Sequence, residues 1–316
     1  MNGIRAISKG YFLPLILLLA LILLATMPQY APPFVVILFI SVFMYITLGL
    51  SWTAFCGPTN YISLATAAFF GVGVYTSAML QALPLPVIII IAGLLSSLFS
   101  LLVGLTTLRL RGMYFCIFTF GLSELFRHTV MWYEVNITGT VGRWLPLLNH
   151  VTVFYYMLVI ALITFLTVYF MTRSRWGLAL RSIGQAEQAS LHIGINVTMV
   201  KIVTFAITCF FIGAAGAVMA TRWSYIDPDL AFNPFVTFFT VMMVLTGGIG
   251  SPIYGPILGA TLLTVLSDTI LAEFPRQTML LFGIILILVI LFLPNGLVGL
   301  VRRKGKSVTL GWNKIR

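Results

Sequence analysis

Long apolar runs, broken at intervals by prolines, glycines and short polar clusters, dominate the chain from Tyr11 onward. Runs near twenty residues have the length that a helix needs to cross a hydrocarbon layer about 30 Å thick. Ten are predicted, and the first three cover residues 11–27, 34–55 and 61–80. The next four cover 85–108, 113–132, 151–171 and 197–221, and the last three 234–245, 253–271 and 278–293. Pro28 and Pro32-Pro33 close the first span, and Gly57-Pro58 closes the second. The eighth is too short to cross, so it reads as re-entrant or broken. The second and third meet at Gly57-Pro58-Thr59-Asn60 with no real loop. Backbone groups left unpaired there must be buried in protein or face water.

Composition turns the pattern into a class. Of 316 residues, 60% are apolar and 8% charged, with a mean hydropathy of +1.08. Soluble domains carry about 25% charged residues, so this chain cannot cover a water-facing surface. A water-soluble enzyme, a disordered chain and a nucleic-acid binder are excluded. The expected fold is all-α: a polytopic transmembrane helical protein of about ten helices, residues 1–316 forming one transmembrane domain in a lipid bilayer. Arg5 and Lys9 precede the first run, which is longer than a secretory h-region and lacks an A-x-A-like site, so it reads as a retained helix. Cys56, Cys116 and Cys209 lie in or beside apolar runs without ligand spacing and read as packing residues.

The net charge of +11 matters through its placement. Fourteen of the 18 basic residues fall on one side: Arg5, Lys9, Arg109, Arg111, Arg173, Arg175, Arg181, Lys201, Arg302, Arg303, Lys304, Lys306, Lys314 and Arg316. Arg127, Arg143, Arg222 and Arg276 fall on or near the other. Basic residues stay on the cytoplasmic side of a bilayer, so both termini are expected there, with a basic tail at 302–316. That leaves one long internal loop, 172–196, and outer connections at 133–150 and 222–233.

Few residues in this background could carry function. In the internal loop Leu178, Leu180, Ile183, Ala189 and Ile193 make an amphipathic pattern broken at Gly184 and Gly194. A helix on the membrane surface, a helix in a partner's groove and a solvated linker all fit it. Glu124 lies 12 residues past Gly112, about 18 Å along a helix, so it must be partnered or face water. Arg127 and His128 share its helix face, and a polar translocation path is the alternative. Gly255 and Gly259 make a small-xxx-small packing face, with gating at Gly247, Gly248 and Gly250 as the competing reading. Asp227-Pro228-Asp229 reads as a solvated turn or a docking contact, and Asp268 has no partner by sequence. No H-E-x-x-H and no Walker A motif is present, so the chain is not expected to be an enzyme or to hydrolyse ATP by a P-loop.

Four segments carry a resemblance. The loop's Arg181, Glu187, Ala189 and Gly194, with Gly184 standing where a basic residue is usual, resemble the coupling loop of ABC-importer permeases, in particular LivM-type subunits of the branched-chain amino acid permease family. Gly112-Met113-Tyr114-Phe115 with Thr119 and Glu124 resembles a second family segment. Gly247-Gly248-Ile249-Gly250-Ser251 with Gly255-Pro256 and Gly259-Ala260 resembles a third, and Ile62-Ser63-Leu64 with Ala67-Ala68-Phe69-Phe70 a fourth. The resemblance implies a multi-pass subunit in a bacterial inner membrane that translocates branched-chain or related amino acids, or similar small solutes. It implies a LivH-type second permease subunit, two cytoplasmic ATP-binding subunits and an external solute-binding protein. ATP and Mg would sit on the ATP-binding subunits, with no cofactor or metal in this chain. Arg181, Glu187, Ala189 and Gly194 become coupling residues, and Ser63, Thr66, Thr119 and Glu124 candidates for the path. A stand-alone ion-coupled carrier or channel is the alternative, with a membrane-embedded enzyme behind it.

Overall fold

The computed structural model describes residues 23–107, 112–273, 280–281, 283–284, 287–288 and 296–303. Arg5, Lys9, Arg109, Arg111, Arg276, Lys304, Lys306, Lys314 and Arg316 lie outside the described residues. So do residues 11–22 of the first expected span and most of the tenth.

The protein is an all-α polytopic membrane protein. A helical stretch at 23–30 leads into α1 (Pro33–Thr59), followed by α2 (Thr66–Met79), α3 (Leu85–Thr107) and α4 (Met113–Tyr133). A π-helical turn, Glu134–Thr138, leads to the short strand β1 (Arg143–Trp144) and then α5 (His150–Arg173). The loop 172–196 folds into α6 (Arg175–Gln185) and α7 (Glu187–His192), and α8 (Val197–Ala220) re-enters the bundle. Strand β2 (Tyr225–Ile226) pairs antiparallel with β1, matching Arg143 to Ile226 and Trp144 to Tyr225. The turn α9 (Pro228–Ala231), α10 (Pro234–Gly247), α11 (Tyr254–Glu273) and α12 (Gly296–Arg303) complete the described chain. Five described stretches are long and apolar enough to cross a membrane: α1, α3, α5, α8 and the combined 228–247.

α8 and the short α2 form the centre. Every residue of α2 from Thr66 to Ala78 is buried, and α8 packs most extensively on α3, α2 and α1. Small residues make this possible. A Cβ on Gly73 would strike the carbonyl of Gly213, one on Gly216 the carbonyl of Phe70, and one on Gly213 the side chain of Ser96. Backbones that close gain van der Waals contact, which drives helix association where lipid is as apolar as the side chains. α3 shows the resulting polarity: Ala92, Ser96, Ser100 and Gly104 face inward, whereas Ile90, Leu94, Leu98 and Leu102 face out. Interior hydroxyls are absorbed locally: Thr47, Thr53 and Thr59 each donate to the carbonyl one turn back.

Several boundaries differ from the sequence expectation. α1 continues through Gly57-Pro58 and ends at Asn60, whose left-handed φ of 60° lets its N–H reach the Cys56 carbonyl. A proline in the last turn removes one helical bond, and the following residues still close theirs. Residues 61–65, expected inside the third span, are not helical. The loop breaks at Ala186 rather than at Gly184, which stays in α6 because its missing Cβ lets the helix lie against the Pro58 carbonyl. The expected eighth span, 234–245, is itself unbroken within α10, and the break falls before it at Phe232-Asn233, where the Asn233 side chain caps α10.

Gly73→Val should cost about 3 kcal/mol by forcing α2 off α8, read as early unfolding in detergent by tryptophan fluorescence. Gly121→Val, at an exposed position of α4 with open space around it, should leave the transition where it is in the unsubstituted protein.

Candidate functional site

The break between α1 and α2 puts non-helical backbone inside the bundle. In a medium without water each unpaired N–H or C=O costs several kcal/mol. Side chains from three helices take these groups up. The Ser63 N–H meets Cys56 Sγ at 3.4 Å, and the Ser63 carbonyl accepts from Trp52 Nε1 at 2.8 Å. The Leu64 N–H donates to Thr119 Oγ1 at 2.9 Å, and its carbonyl accepts from Ser123 Oγ at 3.4 Å. Thr119 and Ser123 lie one turn apart on α4, so one helix face holds both ends of one peptide residue. The Ala67 N–H, in the uncapped first turn of α2, donates to Thr237 Oγ1 of α10 at 2.8 Å. Ser63 and Thr66 also line a small cavity of about 10 Å³ with Ser51, whose buried hydroxyl meets no partner among the described residues. That volume fits one water molecule. Ser63, Thr66 and Thr119 are therefore enclosed in this conformation, and Glu124 stands apart from them.

The end of the bundle formed by the loop holds a polar cluster of its own. Lys201, one turn into α8, is 1% exposed, and its Nζ lies 2.7 Å from Glu187 Oε1. The other oxygen, Glu187 Oε2, accepts from the Tyr61 hydroxyl at 2.7 Å, and the Lys201 ammonium sits 4.0 Å from the centre of the Tyr61 ring. Asn60 Nδ2 donates to the Gly184 carbonyl at 3.0 Å. The two loop helices are joined by a 2.8 Å bond between the Ser182 and Ser190 hydroxyls, and α6 to α8 by Trp176 Nε1 donating to Thr204 Oγ1. Glu187 thus faces inward. Arg181, Ala189 and Gly194 are exposed, together with Leu178, Leu191 and Ile193.

The glycines divide by position. A Cβ on Gly247 would strike the Gly255 carbonyl, one on Gly255 the Gly248 carbonyl, and one on Gly259 the Met243 carbonyl, so α10 and α11 cross almost backbone to backbone. Gly248 holds a φ of 108° and touches Gly296, which brings α12 to the loop end as well. Gly250 has open space around it. It lines a cavity of about 700 Å³ with Ser251, Arg173, Arg181, Gly184 and Asn60. Arg181 and Gly250, far apart in sequence, therefore share one wall.

At the opposite end the acids whose side chains are described already have partners. Glu124 Oε2 lies 2.6 Å from Arg127 Nη2, and Arg127 Nη1 donates to Asp229 Oδ1 at 2.8 Å. Asp227 caps α9 through the Leu230 N–H. Glu134, expected in an outer loop, is 1% exposed and is met by Arg143, the Tyr75 hydroxyl and the Gly142 N–H. Asp268 lies within electrostatic reach of Arg222, whose Nη1 also bonds Ser41. Of the chain's seven acids, only Glu187 lies at the loop end. Sequence reasoning missed Tyr61, Lys201 and Glu134. A lysine four residues into an apolar run was the one available signal.

A bundle of apolar crossing helices with non-helical backbone at its centre and a folded loop at one end defines a polytopic membrane protein. Residues 34–290 match the family described as branched-chain amino acid transport system / permease component, and the chain belongs to that family. It is 27% identical over 294 residues to the high-affinity branched-chain amino acid transport system permease protein LivM of Salmonella typhimurium, covering 82% of this chain and 68% of that one. LivM of Escherichia coli K12 gives the same identity and coverage. The permease protein BraD of Pseudomonas aeruginosa is 30% identical over 193 residues, 57% of this chain and 62% of that one. No solved structure matches the chain.

Thr119→Val keeps the shape of the side chain but leaves the Leu64 N–H unpaired. The expected cost is about 1–3 kcal/mol, visible as faster amide exchange at 63–67 with α3 and α5 unchanged.

Proposed function

We propose that this chain is one of two membrane-spanning subunits of an ABC importer that carries branched-chain or related amino acids, or similar small solutes, into a bacterial cell. Its partners are a LivH-type permease subunit, two cytoplasmic ATP-binding subunits that hold ATP and Mg, and an external solute-binding protein. The chain itself performs no hydrolysis. The observation that carries this reading is the family match across 34–290, joined to a folded surface loop at the position where the motor would dock.

On this reading the loop end is cytoplasmic, which puts the 172–196 segment, the start of α12 and the basic tail at 302–316 on the motor's side. α6 and α7 bury Leu180 and Ile183 against the bundle and expose Leu178, Leu191 and Ile193 around Arg181. Exposed apolar side chains beside a cation suit a groove on another protein. Gly194 ends α7 at a φ of 85°, which sets the angle at which the chain turns into α8. ATP binding draws the two motor subunits together and shifts the loop, and the bundle passes from outward-open to inward-open. Glu124 is proposed as part of the outer mouth, held by Arg127 until solute enters.

Gly194→Pro cannot hold a positive φ. It should abolish ATP-dependent uptake in proteoliposomes and reduce co-purification of the ATP-binding subunit, with membrane insertion unchanged. The pair Leu191→Asp and Ile193→Asp should do the same. Uptake by this polypeptide alone, driven by an ion gradient, would instead establish a stand-alone carrier.

A further inference from the structure

We propose that Tyr61 and Asn60 are the points at which displacement of the surface loop is passed to the broken helix, with Glu187 and Lys201 as the strut between. The proposal rests on the ABC reading above and assigns its transmission to particular atoms.

Glu187 is the one acid at the loop end, and both of its oxygens are engaged within the chain, one by Lys201 and one by Tyr61. A residue that only met a partner subunit would leave a carboxylate oxygen outside. Lys201 is fixed in turn by burial, because an ammonium taken out of water is held where its counter-charge is. Through Glu187–Lys201, Trp176–Thr204 and Ser182–Ser190, the two loop helices and the first turns of α8 form one block. Two hydrogen bonds link that block to the α1–α2 break: the Tyr61 hydroxyl to Glu187 and the Asn60 amide to the Gly184 carbonyl. Gly184 against Pro58 is the backbone contact between them.

What those two bonds reach is the non-helical backbone at 60–65, which leads directly into the first turn of α2. Tyr61 is the first residue of the segment whose next members are held by Trp52, Thr119 and Ser123. A pull on Tyr61 is therefore a pull on Ser63 and Leu64, and on the N-terminus of the central helix α2. Asn60 and Tyr61 are proposed as positioning residues, because both stand where α1 gives way to the break.

The test uses the assembled complex, with both permease subunits, the ATP-binding subunits and the binding protein, in proteoliposomes. Radiolabelled leucine serves as the probe solute, and uptake and ATP hydrolysis are measured on the same sample. Tyr61→Phe removes one hydroxyl and keeps the ring over Lys201. Asn60→Gly removes the amide and tolerates the left-handed backbone. Each should lower leucine moved per ATP hydrolysed by about five-fold or more, a typical allosteric coupling, with complex recovered in the usual amount. A residue that merely supports the fold would lower uptake and hydrolysis in step and leave their ratio unchanged, and that result overturns the proposal. Should Tyr61→Phe fail to assemble, Asn60→Gly decides alone, since its side chain is exposed. If the unsubstituted complex moves on ATP neither leucine nor any other solute that its binding protein retains, the ABC reading falls and this one with it. Normal uptake per ATP in both variants removes only the transmission role.

Discussion

Non-helical backbone within a lipid-embedded bundle sets the terms for the rest of this molecule. Its N–H and C=O groups must find partners in protein; at 61–65 these come from α1 and α4, and α10 takes up the Ala67 N–H in the first turn of α2. Trp52, Thr119, Ser123 and Thr237 are where they are because Ser63, Leu64 and Ala67 need them. The helices that carry them must then surround α2, which explains why a 14-residue helix can be buried along its whole length. Close approach of α2 to α8 through Gly73, Gly213 and Gly216 follows from the same enclosure.

Charge is distributed by a second rule. Away from the loop, among the described residues, Arg127 and Arg143 each pair with an acid and Arg222 feels the charge of Asp268. At the loop end the bases outnumber the single acid, and that acid serves a buried lysine. Removing either member would strand a charge in low dielectric, which costs more than the pair contributes when intact. The pair is thus better understood as a fixed joint than as a source of stability.

Much of the fold was legible in the chain. The limits of α3, α4, α5 and α8 match the apolar runs to within a residue or two, because α-helical spans advertise themselves by length and hydropathy alone. The end of α1 and the start of α2 were not legible. Pro58 looked like a stop, and nothing local says that Leu64 is held by a threonine 55 residues away or Ala67 by one 170 away. The site was half legible. Glu187 stood out from the loop's pattern, but its direction depends on Tyr61 and Lys201, which belong to other spans. Glu134 looked like a loop acid, and only the pairing of β1 with β2 and the nearness of Tyr75 enclose it.

The order of Glu187 and Lys201 along the chain bears on biogenesis. The acid precedes the base by fourteen residues, so it leaves the ribosome first. When the translocon releases α8 sideways, the counter-ion for its buried ammonium is already at the membrane surface. A permuted gene that made α8 before α7 would ask the insertion machinery to accept a bare cation.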